Sequence, residues 1–221
     1  MNDALWFPIW LTLRVSITAT GLAIVLGLAL AWLLARKSFW GKNLLDALLM
    51  QPLVIPPTVL GYYLLVAFGR NAPLGRFLED TFGLTLVFTW KGAVLAALTT
   101  SLPLFIKPAR AAIESVDRRL ENAARLLGKS EPAVFYTITL PLAWRGLLAG
   151  GMMAFARSVG DFGATLMVAG NIPGRTQTVS IAIYDAVQSG DMAGANTLVL
   201  LMTLFSVVVL LIVGWVTAGR Y

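Results

Sequence analysis

The chain has 221 residues, of which 58% are hydrophobic and only 13% charged, with a mean hydropathy of +0.79; soluble domains carry about 25% charged residues. That composition excludes a soluble globular domain. Without a cysteine or a histidine, the chain also lacks disulfides, thiol nucleophiles, the commonest transition-metal ligands and the usual general base at neutral pH, which disfavours most enzyme chemistry. The net charge of +6 takes its meaning from where the cations lie relative to the apolar runs.

A hydrocarbon core about 30 Å thick needs a helix of about 20 mostly apolar residues. At the amino terminus, MNDALWFPIWLTLR has no basic segment ahead of its apolar run, and that run is too long for a signal peptide, so it reads as part of an uncleaved span. Residues 15–35, 47–69 and 192–219 carry no charge; 84–106 is interrupted by Lys91, and 143–169 carries Arg145, Arg157 and Asp161. The expected fold is therefore an all-α membrane protein, one domain over 1–221 with five spans. Tryptophans 6, 10, 32, 40, 90, 144 and 215 fall near the expected span ends, where an indole prefers the headgroup level.

Five spans place the termini on opposite sides, and lysine and arginine mark the cytoplasmic segments. With the amino terminus outside and the carboxyl terminus cytoplasmic, eleven cations lie inside, Arg36, Lys37 and Lys42 among them, with Arg220 the last. Only Arg14, Arg70, Arg76 and Arg175 then lie outside. The basic balance is thus an orientation signal, and no nucleic-acid partner is needed to explain it.

In the second span, Pro52 and the pair Pro56-Pro57 remove backbone donors and must kink or interrupt the helix. Irregular backbone at membrane depth survives only against protein or a water-filled cavity, so either a substrate passage or a static kink fits. Residues 107–142 form the longest charged segment, a cytoplasmic loop. Within it Ile113, Val116, Leu120, Ala123 and Leu127 recur at three and four and predict one apolar helical stripe. Gly128 suits the position after a helix end, while Ser130 and Pro132 suit the start of a second helix over about 131–139 that ends at Pro141. The small residues of this helix–turn–helix suit a docking surface for a partner protein, although a helix lying on the membrane has the same pattern. Gly128-Lys129-Ser130 resembles the end of a phosphate-binding loop, but Ala123 stands where its first glycine belongs and no strand precedes it. Any nucleotide hydrolysis belongs to another polypeptide.

On the fourth span, Arg157 and Asp161 are four residues apart on one face, at a depth where an unpaired charge costs a few kcal/mol. They are expected to pair, either lining an anion path or fixing helix packing beside Gly160 and Gly163. Gly146, Gly150 and Gly151 offer close helix contact that fits a dimer. Residues 171–190 read as an external loop and short helix, a contact for a binding protein.

The stretch ENAARLLGKSEPAVFYTITLP resembles the signature loop of binding-protein-dependent ABC importer permeases, with its Glu, paired alanines, Gly, and Ile and Leu-Pro at the right distance; Asn122 between Glu121 and the alanine pair departs from the commonest form. Beyond the loop, QPLVIPPTVLGYYLLVAFGR, FTWKGAVLAALTTSLPLFIKPAR and FARSVGDFGATLMVAGNIPGRTQTVSIAIY resemble the molybdate branch of that family, with sulfate permeases the nearest competitors. The run NIPGRTQTVSIAIY favours molybdate. The resemblance implies an ATP-driven permease for molybdate, with tungstate the alternative, that works by alternating access and is not itself an enzyme. It implies a second copy of the chain, ATPase subunits that bind ATP and Mg, a periplasmic or extracellular molybdate-binding protein, and a cell inner membrane. For Glu121, Ala123, Ala124, Gly128, Ile138, Leu140 and Pro141 it implies a role in docking the ATPase, local packing being the stronger reading for the last three. Pro56, Pro57, Arg157 and Asp161 are the candidates for the translocation path. A secondary carrier would show an internal repeat, which five spans do not divide into, and against an embedded enzyme stands the scarcity of convergent polar groups in the spans beyond Lys91, Arg157 and Asp161.

Overall fold

A computed structural model describes residues 2–217, all of its regular structure helical. Helix α1 (Asn2–Arg36) is followed by α2 (Lys42–Met50) with a one-turn 3-10 extension (Gln51–Leu53), then α3 (Pro57–Phe68) and α4 (Pro73–Phe82). Next come α5 (Trp90–Glu114), α6 (Arg118–Leu126), α7 (Glu131–Val134), a π turn (Phe135–Thr139), α8 (Leu140–Val159), α9 (Gly163–Ala169), α10 (Val179–Ser189) and α11 (Met192–Thr217). Four segments are long and apolar enough to cross a membrane: Trp6–Arg36, Trp90–Glu114, Glu131–Val159 and Met192–Ile212. A fifth crossing exists if Lys42–Leu53 and Pro57–Phe68, bent by 113° at their junction, make one broken span.

That bend realises the expectation from the prolines. Each arm has 12 residues, about 18 Å of helix, too short to cross alone. Pro52 sits in the 3-10 turn, Pro56 is extended at φ −53° and ψ 136° ahead of α3, and Pro57 occupies its first turn, where a missing N–H costs nothing.

Helix α5 is the centre of the molecule, and small residues set how closely its neighbours approach. On one side Ala23, Ala31 and Ala35 of α1 meet Phe105, Ala109 and Ile113 of α5, with Ala143 and Ala154 of α8 closing the same buried cluster. Further toward the amino end of α5, Ala93, Val94 and Ala97 pack on Leu11, Val15 and Ala19 of α1. Lipid is as apolar as these side chains, so close backbone approach supplies the association energy that water would otherwise provide. Gly146 and Gly150 serve that approach, but within the chain: a Cβ on Gly146 would run into Ala112, and one on Gly150 would lie 3.0 Å from the Phe105 carbonyl oxygen and from the Pro108 ring. A Cβ on Gly151 would make only ordinary contact with Ile24 of α1. Gly146 and Gly150 therefore build the α8–α5 packing.

Several expected boundaries move. The third span begins at Trp90 because Thr89 caps α5, its Oγ1 accepting from the Gly92 N–H at 3.4 Å. It continues to Glu114, so residues 107–114 of the expected loop belong to a helix that outruns the bilayer. The second loop helix does not end at Pro141 but runs on into α8. The proline, which cannot supply a helical N–H, is accommodated by the π turn that precedes it. The fourth span ends at Val159; residues 160–162 break the helix and α9 is a separate short element packed on α3 and α5. Arg14, counted as external, is an exposed residue of α1 with its guanidinium 3.8 Å from the centre of the Trp90 ring and 5.0 Å from that of Trp10, a cation–π arrangement. Arg220 and the Trp215 side chain lie outside the described residues.

Candidate coupling loop and translocation residues

Arg118–Leu126 forms α6, started by Asp117, whose carboxylate accepts from the Arg119 N–H at 2.8 Å. It is stopped by Gly128 at φ +80°. The Lys129 N–H donates to the Ala124 carbonyl at 3.1 Å and the Gly128 N–H to that of Arg125 at 2.9 Å; this paired closure needs a left-handed residue after the helix, which glycine adopts without strain. Ser130 occupies the position before α7 as expected, although its hydroxyl makes no capping bond there.

The expected apolar stripe divides. Ile113 and Val116 are buried, Ile113 within α5 and Val116 in the link to α6, but Leu120, Ala123 and Leu127 face outward together with Leu126. Leu126 and Leu127 are 89% and 84% exposed. The face that α6 buries carries Glu121 and Ala124 instead. Glu121 is 2% exposed and its Oε1 accepts from Arg36 Nη2 at 2.9 Å, from Arg36 Nε at 3.1 Å and from the Thr139 hydroxyl at 2.6 Å. Arg36 also donates to the Val116 carbonyl at 3.1 Å. One carboxylate thus ties the end of α1, the start of α6 and the π turn together. Around the rim, Arg125 pairs with Glu131 at 2.6 Å and donates to Asn122 at 2.7 Å. The hydrogen bond to Glu131 raises the Arg125 pKa above its ordinary value.

Of the seven loop residues singled out in the sequence, Ala123 and Gly128 are exposed, and a Cβ on Gly128 would meet nothing within 4 Å. Glu121 and Ala124 are buried, Ile138 and Leu140 half-buried, and Pro141 is exposed at the start of α8. The signature loop therefore combines an outward surface with the residues that hold it in place. Arg36 and Thr139 were missed in the sequence. Their only signal was a cation at a span end and a hydroxyl in an apolar run.

The Arg157–Asp161 pair forms, at 3.2 Å, but across the end of α8 rather than along a continuous span. Asp161 is buried and its carboxylate is saturated: Thr165 donates to Oδ2 from both its N–H, at 3.0 Å, and its hydroxyl, at 2.6 Å, and Thr100 donates to Oδ1 at 3.2 Å. Asp161 thereby joins α8, the first turn of α9 and α5. Arg157 keeps about a third of its side chain exposed. The two helix breaks also meet, since a Cβ on Gly163 would lie 3.0 Å from Thr58 Cγ2 and 3.4 Å from Pro57 Cβ. Pro57, Arg157 and Asp161, separated by a hundred residues of sequence, thus belong to one region.

The segment after α9 is a closed structure of its own. Asn171 donates to Asp185 at 2.8 Å, and Gln177 donates to Asn171 at 3.0 Å and to Asp185 at 3.2 Å, which fastens the loop to α10, the expected short helix.

The family model described as "Binding-protein-dependent transport system inner membrane component" matches residues 23–219. The chain belongs to that family. It is a multi-pass membrane transport component, without a catalytic role of its own. The molybdenum transport system permease protein ModB of Escherichia coli (strain K12) is 46% identical over 216 residues, covering 97% of this chain and 94% of that protein. The sulfate transport system permease protein CysW of the same organism is more distant, 34% identical over 202 residues, with 91% of this chain and 69% of that protein covered. A solved structure of the MetNI methionine ABC transporter in inward-facing conformations superposes with a TM-score of 0.69 at 17% identity, covering 97% of this chain and 94% of that one. At that identity the match establishes the ABC importer permease fold alone.

Replacing Glu121 by Ala leaves the Arg36 charge buried without its partner, a loss of about 3–5 kcal/mol for such pairs. Thermal unfolding of the purified transport component should show a clear drop in midpoint for Glu121→Ala, and a smaller one for Glu121→Gln, which keeps an acceptor for both Arg36 and Thr139. Equal midpoints for wild type and Glu121→Ala would show that the pair does not hold the loop.

Proposed function

We propose that this chain is the membrane-spanning subunit of an ATP-driven importer that carries molybdate into the cytoplasm. Two copies would enclose the path, each offering its coupling loop to an ATPase subunit that binds ATP and Mg, while a binding protein delivers the oxyanion on the far side. The observation that carries this reading is the build of α6. It presents Leu126, Leu127 and Ala123 outward at the end of a loop while Glu121 ties the same helix to α1 and the π turn. Motion imposed on such a helix is passed to two transmembrane elements through a buried ion pair and not through a flexible linker. ATP binding then favours one arrangement of the spans and its release the other, which is alternating access driven by differential affinity for the two states.

Orientation follows from charge. With α1 ending inside, Arg36, Lys37, Lys42 and the cations of α6 share the cytoplasmic side, leaving few at the other face. The substrate reading rests on 46% identity to a molybdenum permease against 34% to a sulfate permease. Tungstate shares the tetrahedral dianion geometry and belongs to the same reading.

Along the path, Arg157 supplies positive charge at the meeting point of the two helix breaks. The saturated Asp161 holds the guanidinium and moderates its pull, since a transported anion must also leave. Arg157→Gln should abolish uptake while the complex still assembles; unchanged uptake would reduce the pair to scaffolding. For the loop, Leu126→Asp combined with Leu127→Asp should eliminate co-purification of the ATPase while the permease remains in the membrane, and normal recovery of the complex would place docking elsewhere. The substrate is tested by the molybdenum content of a deletion strain at limiting molybdate, with tungsten and sulfur measured in the same cells. Loss of molybdenum that excess molybdate restores is expected, whereas normal molybdenum with impaired sulfur would assign the chain to sulfate.

A further inference from the structure

Beside the coupling loop, two cavities share a wall. One, of about 530 Å³, is apolar and runs along Ile24, Val25, Leu28 and Ala29 of α1 against Phe135 and Tyr136. The other, of about 320 Å³, is lined by Arg36, Lys37, Arg118 and Arg125 with Glu121. Trp32 and Glu131 line both. The change from dry to charged follows a single helix face, because Ile24, Leu28, Trp32 and Arg36 recur at four, with Val25, Ala29 and Lys37 beside them. From Ile24 to Arg36 the helix rises about 18 Å, close to the depth of one leaflet of a hydrocarbon core about 30 Å thick.

The charges in the polar cavity are unequal in what they have left to bind. Arg36 is committed to Glu121 at 2.9 Å and Arg125 to Glu131 at 2.6 Å. Lys37 and Arg118 are exposed, and among the described residues neither has a carboxylate partner. Lys37 Nζ instead sits 5.4 Å from the centre of the Trp32 ring, at the boundary between the cavities, and Trp32 meets Phe135 edge-on at 6.4 Å. Arg118, Asn122 and Arg125 recur at four and three on the cavity side of α6, opposite Leu127, while Leu126 follows Asn122 by four and adjoins that side.

We infer that this pair of cavities is a binding site for one anionic phospholipid, an acyl chain lying in the groove between α1 and the π turn and the phosphate held between Lys37 and Arg118. Apolar length along one leaflet, an indole at the headgroup level and two cations beyond it without an ion-pair partner, Glu131 acting on Lys37 only at longer range, match an amphiphile with a negative head. Bound there, the lipid bridges α1 to α6 next to the Arg36–Glu121 pair, so anionic lipid would stiffen the coupling loop.

The test is native mass spectrometry of the delipidated permease–ATPase complex titrated with phosphatidylglycerol or with phosphatidylcholine. Phosphatidylglycerol should be retained in preference, and Lys37→Gln with Arg118→Gln should weaken it about 30-fold, from about 1 kcal/mol per cation, and remove the preference over phosphatidylcholine. Ala29→Trp, which fills the groove without touching the charges, should weaken both lipids. Equal retention of the two lipids by the wild type, or unchanged phosphatidylglycerol binding in the double variant, would overturn the inference. So would displacement of the lipid by millimolar inorganic phosphate, which would leave only an anion site. If the complex retains no lipid and Ala29→Cys cross-links to a second copy or to the ATPase, the groove is a protein interface and the inference fails.

Discussion

A buried ion pair at the end of the first span fixes the loop to the membrane helices. Arg36 ends the first span and Glu121 lies on the inner face of α6; each is nearly removed from solvent, and each is affordable only because the other is present. Thr139 takes a third position on the same carboxylate oxygen. A pair of apolar side chains of equal volume would hold the helices as tightly, but would let them slide and rotate. Two guanidinium donors converging on one carboxylate oxygen fix direction as well as distance.

Around that tie, the fold separates rigid from adjustable parts. Helices α1, α5 and α8 approach closely through alanine and glycine, and their contact surfaces leave little room for rearrangement. The breaks lie elsewhere, at residues 54–56 between α2 and α3 and at 160–162 between α8 and α9. They are packed on one another through Gly163 and Pro57. Exposed backbone in a membrane has to be satisfied by protein or by water, and Asp161 does so for the first turn of α9. The same carboxylate neutralises Arg157. Scaffolding and charge balance are therefore one arrangement at this place.

Much of this was legible along the chain. Spans, the proline break, the glycine that stops α6 and the Arg157–Asp161 pair follow from local rules: apolar length, missing donors, left-handed backbone and i, i+4 spacing. The errors have a common origin. Helix α5 extends past its apolar window and α8 stops short of the end of its own, because a helix stops where its caps and tertiary contacts end it, not where hydropathy falls. The stripe from Ile113 to Leu127 reads in the sequence as one helical face; Val116 turns the chain between α5 and α6, so the first part packs inside and the second part faces out. Gly146 and Gly150 announced close packing without naming the neighbour, which is α5 of the same chain.

The sequence by itself determined that the chain spans a membrane, how many crossings to expect, where a helix must break and which loop carries the signature of its family, since each depends on properties of neighbouring residues. Only the tertiary structure decided that Glu121 faces Arg36 across 85 positions, that Leu126 and Leu127 are left outward, and that Pro57 and Gly163 meet. Those are pairings between distant elements, chosen by which close-packed arrangement buries every charge with a partner, and no local periodicity encodes that choice.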